Sequence, residues 1–188
     1  MKKLFVTYFE PFGGGDRNSS LEAVKLLPDR IGGAEIIKTE LPVVFGKAAA
    51  IAADIAAEYN VDGVISVGQA AGRKSVTPEL VAINYMDAKI PDNDGNQPQG
   101  ERIDGDGAAA YFSTFDAGIM AAAINAAGIG AAVSYSAGAY VCNDVFYRLS
   151  RRFDGTGVRI GFIHVPDIDT LAPENASKAL VAAIEACL

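Results

Sequence analysis

Phe45-Gly46-Lys47-Ala48-Ala49-Ala50-Ile51-Ala52-Ala53-Asp54-Ile55-Ala56-Ala57-Glu58-Tyr59 reads as an amphipathic helix. It runs through Asn60 into Val61-Asp62-Gly63-Val64-Ile65-Ser66-Val67, a short apolar run with β-branched residues that reads as a buried strand. The same alternation extends to both sides. Leu4–Tyr8 reads as a strand, and Asn18 and Ser19 then offer an N-cap, with Ser19 and Glu22 at capping-box spacing, for a helix running toward Leu27. Ala34–Leu41 and Leu80–Tyr85 read as strands, and residues 87–107 as a polar stretch without period. Ala108–Ala127 reads as a helix, Ala131–Tyr135 as a strand, Val141–Arg152 as a helix, Val158–Val165 as a strand and Pro173–Ala186 as a last helix. Strands alternating with helices predict an α/β fold: a three-layer α/β/α sandwich around a mainly parallel, mixed sheet. A length of 188 residues suits one domain over residues 1–188.

Composition narrows the function classes. With 16 basic and 23 acidic side chains the formal charge is −7, which argues against nucleic acid or an anionic membrane as partner. No apolar run reaches the ~20 residues of a membrane span. Glu10 and the early glycines do not suit a signal peptide, so a reducing cytoplasm is expected, with the two cysteines as thiols. One histidine and two cysteines are too few for a Cys/His zinc site, which needs about four ligands.

Three segments invite chemistry. Cys142 follows the Ala131–Tyr135 strand and a small-residue turn, and falls in the first turn of the next helix. A helix N-terminus favours an anion, which would lower the thiol's pKa and make Cys142 a nucleophile beside backbone N–H donors. The plainer reading is a buried packing residue. His164 closes the apolar run Ile160–Ile163 before Val165-Pro166, at a strand's carboxyl end where open parallel sheets bind ligands. It is either a proton carrier for Cys142 or a structural histidine. Glu79 could orient His164 or simply cap or face solvent. The glycines of Gly68–Gly72 and Gly13–Gly15 lack the continuation of a phosphate loop or the dinucleotide spacing. Asp92-Asn93-Asp94-Gly95 lacks the glycine and glutamate of a calcium loop, with Gln97 and Ile103 in their places.

Taken together, five stretches in order resemble the pyroglutamyl peptidase I (pyrrolidone-carboxylate peptidase) family of cysteine exopeptidases. They are Phe9–Gly14 with Asn18; Val67–Arg73 leading to Thr77-Pro78-Glu79 and Val81–Asn84; Ile90–Asn93; Ser136–Gly138 with Val141-Cys142-Asn143; and Phe162–Pro166. The resemblance implies a single peptidase domain that hydrolyses the amide after an N-terminal pyroglutamate. It implies Cys142 as nucleophile, His164 as base and acid, and Glu79 as the carboxylate orienting it. Phe9 and Phe12 would flank the pyrrolidone ring, with Asn18, Gln69 and Val141 also at the substrate. Lys89, standing where an arginine is usual, would lend electrostatic support at the oxyanion. Members need no metal or organic cofactor, and many are cytoplasmic homotetramers, so a homo-oligomer, tetramer or dimer, is expected. Tyr8 replaces the usual glycine and is expected to reshape the entrance or shift the neighbouring Phe9, and the stretch after His164 is short. Those departures leave two alternatives: a thiol amidase for another small cyclic or N-blocked amide, or a non-catalytic binder of blocked N-termini.

Overall fold

Residues 2–188 are described by the computed structural model. Seven-residue β1, Lys3–Phe9, lies at the centre of a six-stranded sheet because it is apolar on both faces. It pairs in parallel with β3, Ala34–Leu41, and with β4, Gly63–Gln69, and β4 pairs in parallel with β8, Arg159–Val165. Two-residue strands close the edges in the antiparallel sense: β2, Arg30–Ile31, against β3, and β5, Thr77–Pro78, against β8. The order is β2-β3-β1-β4-β8-β5. The sheet is thus mixed around a parallel centre, and helices cover it on both sides.

Side-chain alternation along β1 sorts the two cores. Leu4, Val6 and Tyr8 join one apolar cluster with residues of α1, Ser19–Lys25, α3, Ala117–Ala126, and α5, Pro173–Glu185. Phe5 and Phe9 join the other, with residues of α2, Lys47–Glu58, and α4, Val141–Arg152. Phe5, Phe146 and Phe162 are fully buried in that second cluster. Each contributes about 2–3 kcal/mol of transfer free energy relative to an exposed ring.

Three sequence expectations change. The alanine-rich run 108–127 is not one helix: Ala110–Phe112 forms β7, and α3 starts only after Asp116. Alanine permits either state, and Asp116 decides the start by accepting hydrogen bonds from Gly118 N and Ile119 N through Oδ1, at 2.8 and 3.0 Å. The strand expected at Leu80–Tyr85 shortens to β6, Val81–Ile83, and pairs with β7 in a separate two-stranded sheet. Ala131–Tyr135 is not a continuous strand. It runs beside residues 76–80 through single parallel bridges, Val76 to Ala131 and Glu79 to Ser134. Pro78, which has no N–H, interrupts the ladder between them. Among the described residues, no helix is long and apolar enough to cross a membrane.

Candidate active site

The chain leaves β1 for β3 on one side and returns to β4 on the other, so the crevice at the carboxyl ends of β1 and β4 is a topological switch point. A cavity of about 440 Å³ opens there. Phe9 from the end of β1, Gln69 from the end of β4 and His164 near the end of β8 line it, with Phe12, Asn18, Val141 and Cys142. Seven residues expected at the site thus meet at one place. Glu79 stands behind His164 instead of in the lining, buried, with Oε1 2.7 Å from His164 Nδ1. The carboxylate accepts from Nδ1–H, which assigns the tautomer and leaves Nε2 as an acceptor.

Cys142 occupies the second position of α4. Among the described residues no side chain caps that helix, so N–H groups of its first turn remain open beside the thiol. The residues that follow fix the turn. Asn143 Oδ1 accepts from Ile83 N at 3.0 Å, and its Nδ2 donates to the carbonyls of Ile83 and Tyr85, each at 2.9 Å. Asp144 Oδ2 accepts from Gly46 N at 2.8 Å. Beneath the thiol lies Gly68, paired with His164 across β4 and β8, and it provides the space that Sγ fills.

Electrostatics correct one expectation. Burial pushes the Cys142 thiol up to about 12, the Glu79 carboxylate adds to the rise, and Arg73 opposes it. Desolvation thus favours the protonated sulfur. Burial also lowers the pKa of His164 below its ordinary value, although the hydrogen bond to Glu79 acts the other way. Burial would raise the Glu79 carboxyl, yet hydrogen bonds from His164, Ser134 and Arg73 hold it below the usual carboxylate range. Burial thus favours a neutral thiol and a neutral imidazole, beside a carboxylate held below its usual range.

Several expected residues hold the site's shape. Asn18 is the N-cap of α1: Oδ1 accepts from Ser20 N and Ser20 Oγ, and Nδ2 donates to Glu10 O. Gln69 Oε1 accepts from Ser19 N at 2.7 Å, tying the end of β4 to the start of α1. Lys89 is corrected. Ala88 turns inward, while Lys89 is exposed, is absent from the cavity lining and forms no ion pair among the described residues. The cation at the cavity is Arg73. Tyr8 is corrected as well: it packs in the opposite core, on the other face of β1 from Phe9, so it does not line the entrance.

The sequence reading left out Val43, Arg73 and Tyr140 as lining residues. Arg73 and Tyr140 stood inside or beside the quoted motifs, whereas nothing local marks Val43. Tyr140 tilts against Phe12 with ring centroids 6.1 Å apart, meets Phe45 edge-on at 5.4 Å, and donates from its hydroxyl to Pro91 O at 3.0 Å. Among the described residues, no group of three or more His, Cys, Asp or Glu side chains could hold a metal ion.

The pyroglutamyl peptidase family model matches residues 2–186. The pyrrolidone-carboxylate peptidase of Lactobacillus johnsonii is 48% identical over 166 residues, covering 87% of this chain and 77% of its own. That of Staphylococcus carnosus is 43% identical over 196 residues, covering 99% and 91%. The crystal structure of pyroglutamyl peptidase I from Bacillus amyloliquefaciens superposes with a TM-score of 0.93 at 40% identity, covering 100% of this chain and 97% of that one. A mutant pyrrolidone carboxyl peptidase from Pyrococcus furiosus gives 0.92 at 36% identity, covering 98% and 97%. With the fold, the cavity and these matches in agreement, the chain belongs to the pyroglutamyl peptidase family of cysteine exopeptidases.

Proposed function

We propose that this chain, as one peptidase domain, releases N-terminal pyroglutamate from peptides, with Cys142, His164 and Glu79 as its working groups. The observation that carries the assignment of roles is the 2.7 Å contact of His164 Nδ1 with Glu79 Oε1, behind a cavity that His164 and Cys142 share. His164 Nε2 takes the thiol proton as Sγ attacks the carbonyl joining pyroglutamate to the next residue. Open N–H groups at the start of α4 receive the oxyanion. The imidazolium then protonates the leaving amine as the C–N bond breaks, giving a thioester. Water, deprotonated by His164, attacks the thioester, and the departing sulfur regains its proton. Burial favours the neutral form of both partners, which suits thiolate formation together with the proton transfer.

The cavity suits a flat, uncharged lactam. Phe9, Phe12, Val43, Tyr140 and Val141 supply apolar walls, and among the described residues no carboxylate lines it to hold an ammonium. Proline has the same ring without the lactam carbonyl. A site whose buried donors face that carbonyl rejects proline by on the order of 10⁴-fold. The two free cysteines fit a reducing cytoplasm. Exposed Phe112 and Tyr135 suit assembly into a dimer or tetramer.

The test is release of a fluorophore from a pyroglutamyl amide, run beside prolyl and acetyl amides. Turnover of the pyroglutamyl amide alone, lost in Cys142→Ala and His164→Ala proteins that still fold, is expected. Full turnover by Cys142→Ala would overturn the mechanism, and no preference for pyroglutamyl would overturn the substrate.

A further inference from the structure

Arg73 sits on the loop after β4, at the rim of the cavity. That loop is held at three points: Ala70 N donates to Val165 O at 2.9 Å, Arg73 N to Ala70 O at 3.2 Å, and Gly72 N to Asp167 Oδ2 at 3.2 Å. From this base the guanidinium reaches two separate parts of the site. Its Nη1 donates to Thr77 Oγ1 and, at 2.6 Å, to Glu79 Oε1. Its Nη2 donates to Ser136 O at 3.0 Å. Ser136 lines the cavity, in the turn that leads into α4 and Cys142.

Resting on the peptidase reading above, we propose that Arg73 is a positioning residue: it joins the Glu79–His164 pair and the turn before Cys142 into one frame. Glu79 explains why such a frame is needed. Its Oε1 accepts from both Arg73 and His164, while buried Oε2 has no hydrogen-bond partner among the described residues. With Arg73 removed, Glu79 keeps hydrogen bonds from His164 and Ser134 but loses the one that ties it, through the same guanidinium, to Thr77 Oγ1 and Ser136 O, so rotation about its terminal torsion is less opposed. The imidazole then has a less fixed partner for Nδ1, and with it a less fixed tautomer that leaves Nε2 free to accept a proton.

The charged or titratable groups around His164 are Glu79, Arg73 and Cys142, with Tyr140 beyond the thiol. Glu79 favours the imidazolium and disfavours the thiolate, and Arg73 acts in the opposite direction on each. Arg73 therefore does two separable things. Its geometry holds the frame, and its charge keeps His164 neutral to lower pH and eases proton loss from Cys142. Lysine carries the charge but lacks the planar fork that reaches three acceptors at once.

The experiment compares wild-type protein with Arg73→Met and Arg73→Lys in two assays across pH. One is kcat and KM on a pyroglutamyl amide, and the other is iodoacetamide alkylation of Cys142, which needs no substrate. Arg73→Met is expected to lose about 10-fold or more in kcat with little change in KM. Both limbs of its kcat/KM profile, and the acid limb of alkylation, should move to higher pH. Arg73→Lys should return the limbs to their wild-type positions while kcat stays low. Limbs that remain in place in Arg73→Met, or a loss confined to KM, would overturn the proposal. If Arg73→Met melts below assay temperature, wild-type kcat in Arg73→Lys would overturn it. If wild type fails to turn over the amide while the alkylation limb still shifts in Arg73→Met, the substrate reading falls and the frame stands.

Discussion

Gly68 lies so close beneath Cys142 that a methyl group in place of its hydrogen would stand 2.8 Å from the thiol sulfur and 2.9 Å from the Phe162 ring. Its backbone is not in the left-handed region, so the constraint is one of space alone. Gly68→Ala should therefore push Sγ or the ring aside. Displacing a reacting atom by about 1 Å costs on the order of 10²-fold in rate, and overpacking costs about 1–3 kcal/mol. Steady-state kinetics together with a thermal melt would check this. Wild-type kcat/KM in Gly68→Ala would refute the steric account.

Glu79→Gln keeps the shape of the side chain and removes its charge. A glutamine amide can present either a donor or an acceptor to Nδ1, so the tautomer is no longer dictated. A fall in kcat on the order of 10³- to 10⁴-fold is expected, measured against an active-site-titrated wild type. A fall of only a few-fold would mean that the carboxylate's charge is dispensable.

The raised thiol predicts a pH dependence of stability. In the unfolded chain Cys142 titrates near 9.0, whereas burial and Glu79 move the folded value up to about 12. Between those values the unfolded state gives up a proton that the folded state keeps, so stability falls as pH rises above about 9. Cys142→Ala removes this dependence. Melting both proteins between pH 8 and about 10.5 should show wild type losing Tm faster, and parallel curves would contradict the assignment.

Tyr140→Phe deletes the hydroxyl that donates to Pro91 O and leaves the ring against Phe12 and Phe45. Loss of one such bond costs about 1 kcal/mol of stability. Because the ring contacts remain, kcat should change less than KM, which should rise a few-fold as the 87–107 segment loosens from the pocket wall. Denaturant melts and a KM measurement test the pair of effects. An unchanged midpoint would show that the hydrogen bond is fully replaced by solvent.

The local sequence carried most of the element assignments. The near-continuous apolar runs in Lys3–Phe9 and Arg159–Val165 placed apolar side chains on both faces, as suits a central parallel strand. The one histidine, at the end of such a strand, and the cysteine at a helix start were visible by position, and five ordered motifs supplied their partner Glu79. The alanine-rich stretches were less legible. Ala108–Ala110 and Ala131–Ala132 present methyl groups that suit a helix, a strand or neither, so pairing with Val81–Ile83 and Val76–Leu80 settled them.

What the sequence determined by itself is the α/β order, the two apolar faces and the candidates for the reactive groups, because these follow from periodicity and side-chain chemistry within short windows. Tertiary structure decided the rest. Only folding shows that Arg73, and not Lys89, stands at the cavity and grips Glu79, and that Tyr8 faces away from it. Only folding shows that burial raises the Cys142 thiol, since that depends on which atoms pack around the sulfur. Those atoms come from strands and loops far apart in the chain, and no window of sequence contains them together.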